Sequence, residues 1–294
     1  MSTAPVREEK GRRRRRSGAG GPRYPGWLAL PAVVWYGVFF LVPLGIMAVY
    51  SFQLTVGYGD IAYAWTTENF TYLWDPLYGR IFWRTFQLAA ITTLGTLLVG
   101  FPLAYYIARY AQRKTLLLLL VIVPFWTSFL IRTYSWLVIL DPDFFLWRAL
   151  GLGDFELLYT TKAIYIGVVY NYLPLMVLPL YAALERMDWS LVEAAQDLGD
   201  SSFRAFRRVT LPLALPGVLA GSLLVFIPVT GEYLVPAILG GDKTAYAGNL
   251  IAQQFLEARD WPFGAAIAMV VVGGLTIALL VYARALGKQE QYGG

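Results

Sequence analysis

The chain has 294 residues, 57% of them hydrophobic and only 15% charged, with a formal net charge of +5 and neither histidine nor cysteine. Such a composition cannot clothe a soluble surface and defines an integral membrane protein. The missing His and Cys exclude disulfides, thiolate nucleophiles, imidazole bases and the commonest transition-metal ligands.

Residues 1–26 are rich in Arg, Gly, Pro and Ser and cannot bury enough apolar surface to fold, so a disordered basic tail is expected. Arg12 to Arg16 supply five positive charges there without interleaved aromatics, so the basic balance belongs to a tail and no nucleic-acid partner is expected. Leu28 to Tyr50 is too long for a signal-peptide core and lacks a cleavage site; it predicts a retained first membrane helix kinked near Pro43. About 20 apolar residues cross the hydrocarbon, and six segments qualify: 28–50, 85–108, 115–139, 163–184, 213–239 and 263–283. The predicted fold is therefore an all-α membrane protein, with a six-helix domain over 27–286 and a short tail at 287–294.

Orientation follows from the placement of Lys and Arg, because positively charged loops resist translocation. With the N-terminus in the cytoplasm, 17 basic residues lie on that side and six on the other, Arg132 falling inside a span. Both termini are thereby predicted to be cytoplasmic. The outer loops carry Asp60, Glu68 and Asp75, then Asp141, Asp143, Asp154 and Glu156, then Asp242, Glu257 and Asp260. This mildly acidic face would concentrate a cation, although the positive-inside bias alone leaves acids there.

Two charges are embedded. Arg132 is 17 residues beyond Thr115, roughly 26 Å along a straight helix, and Glu232 is 19 beyond Leu213, roughly 29 Å. Ionised groups at such depth face a cavity, the bundle interior or an opposite charge. An Arg132–Glu232 pair and a shared role along a substrate path both fit, and a cationic substrate would require Arg132 to be turned away. Trp126, Tyr134, Trp136, Tyr170, Tyr172 and Tyr233 gather at the same level, where rings could cradle methylenes and ammonium groups or form an interfacial belt. Asn171 is a polar neighbour that could bridge helices or meet a ligand.

Between the fourth and fifth spans, Trp189 to Pro212 is a polar run with helical pattern. Leu191, Val192, Ala194, Ala195, Leu198, Phe203 and Phe206 give an apolar stripe, and Glu193, Asp197, Asp200, Arg204, Arg207 and Arg208 give charge. This suits a cytoplasmic helical element held against a partner. Gly199 divides it into two short helices.

Glu193-Ala194-Ala195, three residues, Gly199, nine residues, then Val209-x-Leu211-Pro212 resembles the coupling loop of ABC importer permeases, departing only where Val209 replaces the usual Ile. Leu130 to Trp136, Gly231-Glu232-Tyr233, Leu239-Gly240-Gly241, Gly248-Asn249 and Asp260-Trp261-Pro262 look like spermidine/putrescine permeases, the first of the two that such systems encode. The resemblance covers most of residues 28–286. It implies a type I importer permease in a bacterial inner membrane, without enzymatic activity. The implied partners are a second permease, two ATPase subunits and an extracytoplasmic binding protein. It also implies that Glu193, Ala194, Ala195, Asp197, Gly199, Arg204, Arg207 and Arg208 serve coupling.

Arg132, Tyr134, Trp136, Tyr170, Asn171, Glu232 and Tyr233 are the expected path residues. No Gly-x4-Gly-Lys-Ser/Thr loop exists in the sequence. No cofactor or metal is therefore expected on this chain, with ATP and Mg used by the partner. Permeases for opines, phosphonates or other organic cations share the substrate motifs. An ion-gradient transporter, a membrane anchor and an intramembrane enzyme are the remaining readings.

Overall fold

The computed structural model describes residues 27, 30–151, 156–241 and 244–292, the last stretch partly by its backbone alone. The basic tail 1–26, Asp154, Asp242, Lys243 and the side chains of 287–294 lie outside the described residues. Two compact units are present, 1–46 and 47–294. The first holds α1, Leu30–Tyr36, a π turn at Gly37–Leu41 and the start of α2, Val42–Tyr50. The π turn sits just before Pro43, whose missing N–H leaves the preceding turn one donor short. In place of the kink expected near Pro43, the structure has this π turn within one continuous span, Leu30–Tyr50.

In the second unit, the segment between α2 and the next long helix is ordered. Strands β1, Leu54–Val56, and β2, Asp60–Ala62, pair antiparallel with Thr55 opposite Ile61. Gly57 and Gly59 supply positive φ at the turn. A short helix, α3, Glu68–Tyr72, follows. Helix α4, Pro76–Arg109, starts nine residues before the expected 85. Asp75 accepts the Leu77 N–H at 2.7 Å, and Pro76 at the first helical position is pre-set for the turn.

The third expected span is two helices, α5, Lys114–Trp126, and α6, Phe129–Ile139, bent by 95°. Thr127 and Ser128 are extended there, and the Thr127 hydroxyl donates to Pro124 O at 2.6 Å, closing the end of α5. The short helix α7, Phe145–Ala149, and then α8, Thr161–Glu185, come next. The fifth expected span is shifted and broken. A continuous helical run Ser202–Thr230 consists of α10, Ser202–Ala205, a π turn at Phe206–Thr210 ahead of Pro212, and α11, Leu211–Thr230. After Gly231–Tyr233 comes a separate α12, Leu234–Gly240. Ahead of α10 lies α9, Ser190–Asp197. Helix α13, Ala247–Gln253, and α14, Trp261–Tyr292, complete the chain. The broken third span counted as one, six segments are long and apolar enough to cross a membrane.

Helices α4, α8 and α11 form the core, with Leu88, Ile107, Ile164, Met176, Leu180, Leu184, Val225 and Val229 fully buried. In lipid, close packing rather than water exclusion holds helices together, and small residues permit it. Gly217 and Gly221, one turn apart on α11, meet α8: a Cβ would lie 2.7 Å from Pro179 O at the first and 3.1 Å from Met176 O at the second. Buried Thr85 and Thr93 satisfy their hydroxyls by donating to Ile81 O and Ala89 O in the preceding turn.

Candidate coupling loop and a buried polar cluster

The polar run after α8 is a helix–turn–helix. Gly199 has φ +93, a conformation that side chains rarely adopt, and a Cβ there would meet nothing within 4 Å. The glycine is thus required by backbone geometry rather than by space. Asp200 binds both Arg204, Nε to Oδ1 at 3.4 Å, and Arg208, Nη1 to Oδ1 at 3.0 Å. Arg204 also donates to Gly199 O at 3.0 Å. Two of the three loop arginines therefore brace the turn, and Arg207 and Glu193 have no ion-pair partner among the described residues.

The single apolar stripe read from the sequence is in fact two. Val192, Ala205 and the partly buried Ala195 and Phe206 face the bundle. Leu191, Ala194, Leu198 and Phe203 face outward, Leu198 and Phe203 being 90% and 71% exposed. Leu191, Ala194 and Leu198 follow i, i+3, i+7 spacing along α9 and its C-cap, with Glu193 and Asp197 exposed beside them.

Arg132 and Glu232 both sit where helices break, so the straight-helix heights do not apply. Unpaired backbone at membrane depth is tolerated where protein or a cavity covers it. Arg132, 8% exposed, lies over the rings of Phe125 and Phe129 at 5.3 and 5.5 Å, and its Nη1 donates to Asn171 O at a long 3.5 Å. Its Nε is buried without a partner. Glu232, 6% exposed, accepts from the Tyr172 hydroxyl at 2.7 Å and from Leu234 N and Val235 N at 2.9 and 3.2 Å. Its carboxylate therefore caps α12. Among the described residues there is no Arg132–Glu232 ion pair.

Asn171, 1% exposed, donates to the Thr133 hydroxyl at 3.2 Å and bridges α8 to α6. Trp136 and Tyr170 stack edge-on at 5.4 Å, while Tyr134 is 54% exposed and stands apart. Tyr233 lines a cavity of about 400 Å³ with Asn249, Gln253 and Glu257. Asn249 Nδ2 donates to Tyr233 O at 2.9 Å, leaving its buried Oδ1 without a partner. A Cβ on Gly248 would come within 2.7 Å of Gly231 O and Glu232 O, so α13 is seated directly on the α11–α12 break.

The expected path residues thus fall into an Arg132–Asn171 group, a Trp136–Tyr170 pair and a Glu232–Tyr233 group, with Tyr134 apart from all three. Sequence reasoning missed the pairing of Tyr172 with Glu232 and the part of Thr133. Sixty residues separate the first pair, and nothing local signals it. Several of the acids expected in the outer loops prove structural. Asp75 caps α4, Asp143 pairs with Arg148, and Asp260 accepts from the Thr55 hydroxyl at 2.6 Å and Phe263 N at 3.1 Å. Among the described residues no group of three or more carboxylates is placed to hold a metal.

The chain carries several helices apolar enough to span a membrane and an amphipathic helix–turn–helix between two of them, an arrangement that suits a membrane protein with a docking partner. Comparison with known proteins agrees. Residues 97–286 match the family described as binding-protein-dependent transport system inner membrane component, and the chain belongs to it. The chain is 39% identical over 259 residues to the spermidine/putrescine transport system permease protein PotB of Escherichia coli (strain K12), covering 86% of this chain and 94% of that protein. It is 40% identical over 257 residues to PotB of Haemophilus influenzae, covering 85% and 90%. To the inner membrane ABC transporter permease protein YdcU of Escherichia coli (strain K12) it is 31% identical, covering 88% of each.

In fold the chain resembles a bacterial ABC transporter involved in the import of the acidic polysaccharide alginate, with TM-score 0.67 and 15% identity over 89% of this chain and 94% of the other. The fold is that of a type I ABC importer permease. This is a non-enzymatic, multi-pass inner-membrane family.

Proposed function

We propose that this chain is the first-type permease of a polyamine importer. It would pair with a second permease, two ATPase subunits that use ATP and Mg, and an extracytoplasmic binding protein that delivers spermidine or putrescine. The observation that carries this reading is the outward face of the helix–turn–helix, where Leu191, Ala194, Leu198 and Phe203 are exposed beside Glu193 and Asp197. An apolar helix face with a flanking charge fits a groove on a partner. Both termini and this loop lie in the cytoplasm in this reading, as the Lys and Arg asymmetry favours.

Coupling falls to Glu193, Ala194, Ala195, Asp197 and Gly199. Arg207 is free to meet the ATPase or anionic lipid, while Arg204 and Arg208 hold the turn through Asp200. Passage falls to the embedded groups. Arg132 is turned onto Phe125 and Phe129, which suits a cationic substrate that a free guanidinium would repel. Glu232 keeps the α11–α12 break in shape and leaves Tyr233, Asn249, Gln253 and Glu257 to meet the cation at the cavity, Tyr233 by cation–π contact. Asn171, Tyr134, Trp136 and Tyr170 border the same route.

The test is the purified complex in proteoliposomes with its binding protein. Spermidine or putrescine on that protein should stimulate ATP hydrolysis and be taken up. Stimulation by another organic cation alone would assign a different substrate, and uptake persisting without ATP under an imposed ion gradient would refute the ABC mechanism.

A further inference from the structure

The helix–turn–helix is joined by the backbone to α8 and α11, but α4 is not its neighbour in sequence. One stripe of α4 nevertheless grips both ends of the loop. Phe101, Tyr105 and Arg109 recur every four residues and so share a face near the C-terminal end of α4. At the loop's entry, Trp189 meets the Tyr105 ring edge-on at 5.5 Å and carries the Arg109 guanidinium 4.8 Å above its own ring. At the loop's exit, Phe206 meets Phe101 at 5.5 Å and Tyr105 at 6.1 Å, both edge-on. Arg109 Nη1 also donates to the Tyr105 hydroxyl at 3.5 Å and packs over Tyr110. The rings of Phe101, Tyr105, Trp189 and Phe206 are buried or partly buried within the core cluster, while Tyr110 is exposed.

Elsewhere the loop meets the bundle through small or aliphatic side chains, Val192, Ala195 and Ala205. On α9 only Val192 is buried, and the π turn at Phe206–Thr210 is a site where the helix can readjust. We infer that Phe101, Tyr105, Arg109, Trp189 and Phe206 form a strut that makes the cytoplasmic end of α4 move with the coupling loop. They act as positioning residues rather than as part of the ATPase-docking face. The inference rests on the coupling role proposed for this loop. It adds that force reaches the bundle through α4 as well as through the covalent connections to α8 and α11. Edge-on rings and a guanidinium stacked on indole have specific geometry, so pivoting between loop and α4 would cost contacts on both sides of Tyr105.

The test uses the complete transporter in proteoliposomes, reading substrate moved per ATP hydrolysed. Trp189→Ala should leave the ATPase subunits bound, because Leu191, Leu198 and Phe203 are untouched, yet lower substrate moved per ATP roughly fivefold, with Trp189→Phe restoring most of it. An unchanged ratio in Trp189→Ala would overturn the strut. Loss of ATPase binding in Glu193→Arg sets the docking claim apart: if that variant binds normally, the coupling reading itself fails.

Should Trp189→Ala not insert, a distance measurement decides. The chain has no cysteine of its own, so spin labels on Tyr106→Cys and Ser202→Cys report the separation of α4 from the loop. A strut predicts the same distance distribution without nucleotide and with ATP trapped. A displaced maximum contradicts it.

Discussion

The Tyr172 hydroxyl, on α8, donates to Glu232 Oε2 at 2.7 Å, while Oε1 of the same carboxylate accepts from Leu234 N and Val235 N. One buried charge therefore closes the break between α11 and α12 and ties it to the central helix. Glu232→Gln puts an amide N–H₂ where donors already point, and Tyr172→Phe removes one donor. Each should lower stability by about 1–3 kcal/mol, seen as a reduced melting temperature in detergent, with uptake falling in step. A Glu232→Gln protein with wild-type melting and sharply reduced polyamine uptake would instead mark the carboxylate as a direct cation contact.

Gly248 lies against the same break. Because its Cβ would come within 2.7 Å of two backbone carbonyls, which cannot move as a side chain can, Gly248→Ala should cost about 1–3 kcal/mol. It should also reduce uptake, since the seat of α13 shapes the cavity around Tyr233. Melting and uptake measured together check this, and a neutral result would mean that α13 can shift away from the break freely.

Asp200 bridges two exposed arginines, 58% and 67% accessible at their side chains. Exposed pairs are individually weak, so Asp200→Asn should change global stability by less than about 1 kcal/mol. Its effect should appear in coupling, as looser association of the ATPase that worsens as salt is raised, measured by co-purification at two ionic strengths.

Asp188, at the start of the loop, accepts hydrogen bonds from Ser190, which hold its carboxyl below the usual carboxylate value. A depressed folded pKa contributes stability above the unfolded pKa and loses it only as pH falls through the folded one. With no histidine in the chain, loop integrity should be flat from about pH 5 to 8. Limited proteolysis of the loop across that range should show one pattern.

The helix–turn–helix at Ser190–Ala205 was legible because its signal is local: a charged, helical run between two apolar spans, punctuated by Gly199. The number of apolar spans followed from composition, since a span announces itself by length, whereas the β1–β2 hairpin and the short helices between spans did not. Nor did bends. Both halves of the third span pass for one apolar stretch although α6 carries Arg132, Thr133 and Ser135, so hydropathy runs straight through Thr127 and Ser128. The early start of α4 had a readable cause in Asp75-Pro76, which average hydropathy outweighed. Glu232 was found as a buried charge, yet its partner depends on how α8 and α11 pack. The division of the loop's apolar residues between an inner and an outer face likewise depends on where α4 lies, which spacing along one helix cannot supply.

The central claim is that the Glu193–Gly199 segment receives the force of ATP hydrolysis. Uptake of labelled spermidine by cells carrying Glu193→Arg together with Gly199→Asp tests it most directly, with membrane insertion followed in parallel. Reversing the charge on the docking face and straining the φ +93 turn should abolish uptake while insertion is largely kept. Wild-type uptake by that double variant would contradict the account.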